Sequence, residues 1–340
     1  MNLKKKDYLY LENLLKKFNT KSNKTNSYPL LENGFTENDI IKGIEILLSK
    51  KITMSNVTKK FEYEFGKFIG SKYCLMVNSG SSANLLTAFA LINPLKKSRL
   101  KYGDEFIIPS LCWSTSLWPF VQAGLKPKFI DVDINNFCLD EKLLKNKKYK
   151  NCKAIVNIHI LGNCSDIKKI SNFAESNNMH LIEDTCEALG SKFKSKYLGT
   201  FGNFGTYSFY YSHQITSGEG GMVICKNRND YEIMHSLRAH GWDRGLSRKR
   251  NNNFNFVNSG FNLRPLDLTA AIGLSQFKRL KTMMKVRENN RNLIISKLVN
   301  SPNWTNQFTF FKPSKNLKPS WFGFPILVND KYLSKKNKFL

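Results

Sequence analysis

Between residues 205 and 226 the chain reads GTYSFYYSHQITSGEGGMVICK. Its hydroxyls, Ser208, Ser212, Thr216 and Ser217, are donors that suit a phosphate. His213, at the centre, is the one side chain in the stretch able to move protons near neutral pH. Gly218, Gly220 and Gly221 permit backbone angles that side chains forbid, so a ligand could approach the chain closely. A polar hairpin with a solvated His would carry the same residues, and this stretch alone leaves both readings open.

Three further stretches carry chemistry. NSGSSAN, 78–84, lies between a compact apolar run and an apolar helix. Free N–H groups and the helix dipole make such a turn an anion site, although Ser81 or Ser82 could equally be an ordinary N-cap. Asp184 follows the apolar run 180–183, and a carboxylate held at a buried strand end needs a positive or proton-donating partner. A pyridinium nitrogen would serve. Trp113, in LCWSTS, could stack on a flat ring. An acid, an aromatic face and a phosphate cradle, the last including Ser208, together describe a site for pyridoxal phosphate.

Bringing these loops together requires a framework. Residues 35–49 and 57–69 have helical spacing, with Ile40, Ile41, Ile44, Ile46 and Leu47 on one apolar face and Phe61, Phe65 and Phe68 on the other. The pattern predicts strands at 73–77, 105–109, 128–132, 154–159, 180–183, 206–210 and 222–225. Helices fall at 85–92, from about 114, and at 167–177, 230–241, 265–280 and 286–299. This alternation argues for an α/β fold with a mainly parallel sheet covered on both faces. Ligands bind such sheets at the carboxyl ends of strands, where all four loops fall. The organisation expected is an N-terminal helix and polar segment over 1–30, a large α/β domain over 31–280 and a smaller C-terminal α+β domain over 281–340 that ends in an apolar strand at 322–328.

Composition narrows the class. Net charge is +27, from 53 Lys and Arg against 26 Asp and Glu. The Lys residues are scattered among many Asn and Ile, which reads as compositional bias. A basic surface then favours anionic small substrates and no nucleic acid is expected as partner. No apolar run approaches the roughly 20 residues needed to span a bilayer, so no membrane role is expected. Polar residues interrupt the basic N-terminus before a signal-peptide core forms, which places the chain in the cytoplasm. The seven cysteines include no CxxC pair. Reduced, buried thiols and no metal site are expected.

Residues 50–328 resemble the DegT/DnrJ/EryC1/StrS family of sugar-nucleotide aminotransferases. These are pyridoxal phosphate enzymes of fold type I, the aspartate aminotransferase-like fold. The resemblance rests on VNSGSSANLL, EDTCEALG, SFYYSHQITSGEGGMV, LRAHGW and GFNLRPLDLTAAIGLSQFKRL, which stand in the family's order. One departure matters most: the family's Schiff-base lysine position is His213. The chain is therefore similar to the family's dehydratase branch, which has a His there and deoxygenates C3 of nucleotide-linked 4-keto-6-deoxyhexoses. PSWFGFP, 319–325, also looks like that branch. An aminotransferase that has lost its lysine would show the same change. Some branch members hold an iron–sulfur cluster, and Cys186 matches the first ligand position. Residues 242–264 contain no Cys, so a cluster of that kind cannot be built. The resemblance thus points to the cluster-free, GDP-sugar 3-dehydratases, with Cys186 as a packing residue and no iron–sulfur cluster.

The resemblance also implies roles. His213 is the catalytic base, suited by a pKa near the operating pH. Asp184 holds the ring nitrogen proton, and Glu187 binds the ring hydroxyl. Ser81, Ser82 and Ser208 hold the phosphate, and Trp113 covers the ring. Asn262 and Arg264 reach the cofactor and the substrate of a neighbouring subunit, which implies a homodimer with shared active sites; an ordinary loop at a helix start would carry the same two residues. The cofactor cycles between pyridoxal and pyridoxamine phosphate with glutamate as amino donor, and the partner substrate is a nucleotide-linked 4-keto-6-deoxysugar. Family members continue well beyond PSWFGFP, whereas twelve residues follow Val328 here. The small domain is therefore expected to be incomplete. A same-family aminotransferase and an inactive truncated paralogue stand as alternatives.

Overall fold

The computed structural model describes residues 3–19, 31, 34–246 and 254–333. The polar segment at 20–30, the middle of the basic loop at 247–253 and the tail at 334–340 lie outside the described residues. Helix α1 (Lys5–Asn19) precedes α2 (Glu37–Ser49). The Thr36 N–H donates to Asp39 Oδ2 at 2.8 Å, which satisfies a free donor at the α2 start. α3 (Asn56–Ile69) buries Phe61, Phe65 and Ile69 on one face and stops at Gly70, whose φ of 81° is left-handed.

The sheet-forming part then runs β1 (Tyr73–Val77), α4 (Gly80–Leu91), β2 (Glu105–Pro109), α5 (Ser114–Gln122), β3 (Lys126–Ile130), β4 (Ala154–Ile158), α6 (Ile167–Ser176) and β5 (His180–Asp184). A short hairpin of β6 (Lys192–Phe193) and β7 (Lys196–Tyr197) leads to β8 (Phe204–Ser208), β9 (Gly221–Cys225) and α7 (Arg228–Arg238). The seven-stranded sheet has the order β1-β9-β8-β5-β4-β2-β3. β9 runs antiparallel to both its neighbours, and the other pairings are parallel. β4, β5, β8 and β9 are buried along their whole length, as expected for strands covered on both faces. One apolar cluster joins Val77, Leu86, Phe106, Val156, Ile182, Phe204 and Val223. On the other face Ile107, Ile155 and Leu181 form a second, and Phe61, Phe65, Met76, Tyr207 and Met222 a third.

α8 (Asp267–Phe277) packs on α2 and α3, and α9 (Leu280–Val299) leads into β10 (Phe308–Phe310), β11 (Leu317–Lys318) and β12 (Ile326–Val328). β11 pairs with β6, and β10 pairs with β12. No helix among the described residues is long and apolar enough to cross a membrane.

Several strand boundaries differ from expectation, β8 being 204–208 rather than 206–210 and β3 126–130 rather than 128–132. β3 ends at Ile130 rather than 132, because Asp131 and Asp133 turn the chain by accepting the N–H groups of Val132 at 2.8 Å and Asn135 at 2.9 Å. The strand expected over 322–328 pairs only from Ile326. Pro325 has no N–H to give, and the Phe322 N–H donates instead to Leu161 O at 3.2 Å.

Candidate active site

The carboxyl edge of the sheet gathers four loops around one carboxylate. Asp184 is the last residue of β5, and its side chain points to the face covered by α4 and α5. Its Oδ2 accepts from Asn84 Nδ2 at 2.9 Å and from Ser116 Oγ at 2.7 Å. Its Oδ1 accepts from the Cys186 N–H at 3.1 Å. Asn84 is fixed in turn: its Oδ1 accepts from Thr206 Oγ1 at 2.7 Å and its Nδ2 donates to Thr115 O at 3.1 Å. β1, β2, β5 and β8 thereby converge on Asp184, which is buried and makes no ion pair among the described residues. A buried carboxylate met only by neutral donors is suited to a cationic ring nitrogen.

The second feature is a cradle. The N-cap of α4 is Ser79, not Ser81 or Ser82: its Oγ accepts from the Ser82 N–H at 3.0 Å. Ser81 Oγ donates to Thr115 Oγ1 at 3.0 Å and so ties two loops together. A Cβ at Gly80 would lie 2.6 Å from Ser208 Cβ and 3.1 Å from Cys186 Sγ. Glycine there lets the α4 start close against the β8 end. A Cβ at Gly221 would lie 2.4 Å from Ser79 O. A helix N-terminus, Ser81, Ser82 and the buried Ser208 thus share one corner, a donor set that fits a phosphate. Cys186 packs into the same corner, and burial pushes its thiol well up. A carboxylate for the ring and a cradle for the phosphate together fit pyridoxal phosphate.

His213 sits on the turn between β8 and β9. The His213 N–H donates to Tyr210 O at 3.0 Å. The imidazole stands between two rings, with centroids 6.0 Å from Tyr210 and 4.9 Å from Phe322. Its Nδ1 is enclosed with no hydrogen-bond partner among the described residues. Burial foremost lowers its pKa to about 4; the nearby Asp184 carboxylate works against this and Arg287 works with it. The imidazole is thus neutral at neutral pH, with a pKa below the ordinary histidine value. Glu187 accepts the Leu161 N–H on Oε2 at 2.7 Å. Burial raises its carboxyl pKa, that N–H opposes the shift, and Asp184 adds to it.

The remaining candidates are placed differently. Trp113 is the N-cap of α5 and is 73% exposed at the site edge. Asn262 and Arg264 are both exposed. Arg264 Nε donates to Asn262 Oδ1 at 3.1 Å. Between them, Leu263 O accepts the Asn78 N–H at 3.1 Å, which moors this loop beside the cradle. Sequence reasoning missed Asn84, Ser116, Thr206, Gln214 and Arg287. Asn84 and Ser116 lie inside NSGSSAN and LCWSTS, and Thr206 and Gln214 inside the 205–226 stretch, so the sequence marks their loops but not their partners. Gln214 Nε2 donates to Glu187 O at 2.5 Å and to Ser320 O at 3.1 Å, pairings that no local motif encodes.

A model of the DegT/DnrJ/EryC1/StrS aminotransferase family matches residues 35–340. GDP-4-keto-6-deoxy-D-mannose 3-dehydratase of Escherichia coli O55:H7 is 37% identical over 313 residues, which cover 89% of this chain and 79% of that protein. The structure of Escherichia coli GDP-4-keto-6-deoxy-D-mannose-3-dehydratase with bound hydrated PLP aligns with a TM-score of 0.84 at 35% identity, over 92% of this chain and 83% of that one. A GDP-4-keto-6-deoxymannose-3-dehydratase with a trapped PLP-glutamate geminal diamine aligns with a TM-score of 0.83 at 35% identity, over 92% and 84% of the two chains.

Proposed function

The chain belongs to the DegT/DnrJ/EryC1/StrS aminotransferase family and has its fold type I architecture, and from that premise we infer that it is a 3-dehydratase dependent on pyridoxal and pyridoxamine phosphate. It removes the C3 hydroxyl of a nucleotide-linked 4-keto-6-deoxyhexose in deoxysugar and O-antigen biosynthesis. The relatives' substrates favour a GDP-linked sugar, with glutamate as amino donor. The observation that carries this reading is His213. It occupies the family's lysine position on the turn after β8, within electrostatic reach of Asp184.

When bound, the cofactor supplies an electron sink beside the sugar's C4. The chain's own residues do the rest. Asp184, held by Asn84, Ser116 and the Cys186 N–H, keeps the proton on the ring nitrogen. Ser81, Ser82 and Ser208 bind the phosphate with the α4 start, Glu187 binds the ring hydroxyl, and Trp113 covers the ring. His213 is neutral at neutral pH and takes up and returns a proton. Its Nδ1 is enclosed and without a hydrogen-bond partner among the described residues. Asn262 and Arg264, exposed in the protomer, reach a partner subunit's site in a cytoplasmic homodimer. Residues 31–280 form the cofactor-binding domain and 281–340 the small domain.

The test is incubation of the purified chain with pyridoxal phosphate, glutamate and several nucleotide-linked 4-keto-6-deoxysugars, with products read by mass spectrometry. The expected product is the 3-deoxy ketosugar. An aminosugar with its C3 oxygen retained would sink the dehydratase reading in favour of an aminotransferase.

A further inference from the structure

The turn that carries His213 is fastened from outside the sheet. We propose that Arg287, on α9, is the positioning residue of His213: its guanidinium clamps the main chain of the turn to residue 322 and so fixes the imidazole between Tyr210 and Phe322. This rests on the reading of His213 as the base. Arg287 donates from one terminal nitrogen to Phe322 O at 2.7 Å. The other donates to His213 O at 3.1 Å and Ser212 O at 3.3 Å.

Three features favour positioning over mere packing. First, Arg287 faces backbone carbonyls and makes no ion pair with a carboxylate among the described residues. Burial lowers its pKa. Arg287 is half-buried; partial burial of a guanidinium without a counter-charge is unfavourable, and its planar fork matches the carbonyls of residues 212, 213 and 322. Second, the residue clamped opposite is one of the rings that flank the base. Phe322 is itself moored, its N–H on Leu161 O at 3.2 Å, and the Leu161 N–H in turn lies on Glu187 Oε2 at 2.7 Å. Gln214 closes the circuit by donating to Glu187 O at 2.5 Å. The circuit runs around His213, and Arg287 ties it to α9 by hydrogen bonds. Third, the clamp carries charge. The ionisable groups that act on the imidazole are Asp184 from β5, which favours its protonated form, and Arg287, which disfavours it. Tyr210 lies on the same turn. The residue that orients the base therefore also helps to keep it neutral.

Two variants separate the effects. Arg287→Lys keeps the charge and loses the fork; Arg287→Gln keeps a donor and loses the charge. Turnover, KM, the pH profile of kcat and cofactor affinity are measured on the full chain. The His213 imidazole is also titrated by NMR, its signal identified by loss in His213→Asn. For Arg287→Lys the expected result is a kcat loss of about 30-fold, since small misplacement of a reacting group is costly, with cofactor affinity and the imidazole titration unchanged. For Arg287→Gln the titration and the acid limb of kcat both move to higher pH. The sign follows because a lost positive charge leaves Asp184 less opposed, which raises the imidazole pKa, so the base is protonated at higher pH. Wild-type kcat in Arg287→Lys overturns the proposal. So does an Arg287→Gln protein whose His213 titration is unmoved and whose kcat loss only tracks lost thermal stability. Should the wild type dehydrate none of the sugars, the functional reading fails separately, and the NMR titration, which needs no turnover, still decides whether Arg287 acts on His213.

Discussion

The two halves of the site are built in opposite ways. Asp184 ends β5, its partners Asn84, Ser116 and Thr206 stand on α4, α5 and β8, and all four side chains are buried. The His213 turn is instead held at its backbone by Arg287 from α9 and at Gln214 by the 320 region. The cofactor end is thus rigid by construction, whereas the proton-moving end depends on how the following segments dock. Binding and turnover should therefore be separable by mutation.

The largest effect that could break this contrast is at His213. His213→Lys should abolish dehydration, a loss on the order of 10⁴-fold at the upper end for a general base. Cofactor binding should survive, because the cradle is untouched. Borohydride should then fix one reduced cofactor to the chain, read as a mass increase. Binding without any fixation at any pH would mean that position 213 does not face the cofactor's reactive carbon, and the two halves would not share one site. Next in size is Asp184→Asn. The amide cannot hold a proton on the ring nitrogen, and turnover should fall by on the order of 10³-fold, the scale of a lost electrostatic stabiliser. The fold should persist, since the neutral donors can re-pair with the amide oxygen. Near-normal turnover would remove Asp184 from the chemistry.

The same contrast decides what could be read from the sequence. β1, β2 and the β4–β5 pair were legible because strand, loop and helix follow one another locally, and the four rich loops fall at one edge as the alternation requires. The pairing inside the site was not legible. Asn84 and Ser116 lie 100 and 68 residues from the carboxylate they hold. Arg287 lies 74 residues from His213 and sits in an unremarkable basic helix. The low pKa of His213 was hidden for the same reason, because it arises from burial that segments before and after the turn complete. The strand expected over 322–328 failed at its first half because the Phe322 backbone bonds to Leu161 and Arg287 rather than to a strand.

The smallest expected effect is the most informative about the rigid half. Ser116→Ala removes one of three donors to Asp184, leaving Asn84 Nδ2 and the Cys186 N–H in place. A hydrogen bond to a charged group contributes about 1.5 kcal/mol, so the loss is about tenfold in whatever that bond supports. If the carboxylate is held as firmly by the sheet as its contacts indicate, Asp184 does not swing when Ser116 is cut, and the tenfold appears as weaker cofactor binding with kcat nearly unchanged at saturation. Equilibrium titration of cofactor absorbance against protein, alongside kcat at saturating cofactor, measures both. A kcat loss well beyond tenfold with unchanged cofactor affinity would mean that Asp184 moves when a single donor is removed. The cofactor end would then be as dependent on remote support as the His213 turn, and the contrast between the two halves would collapse.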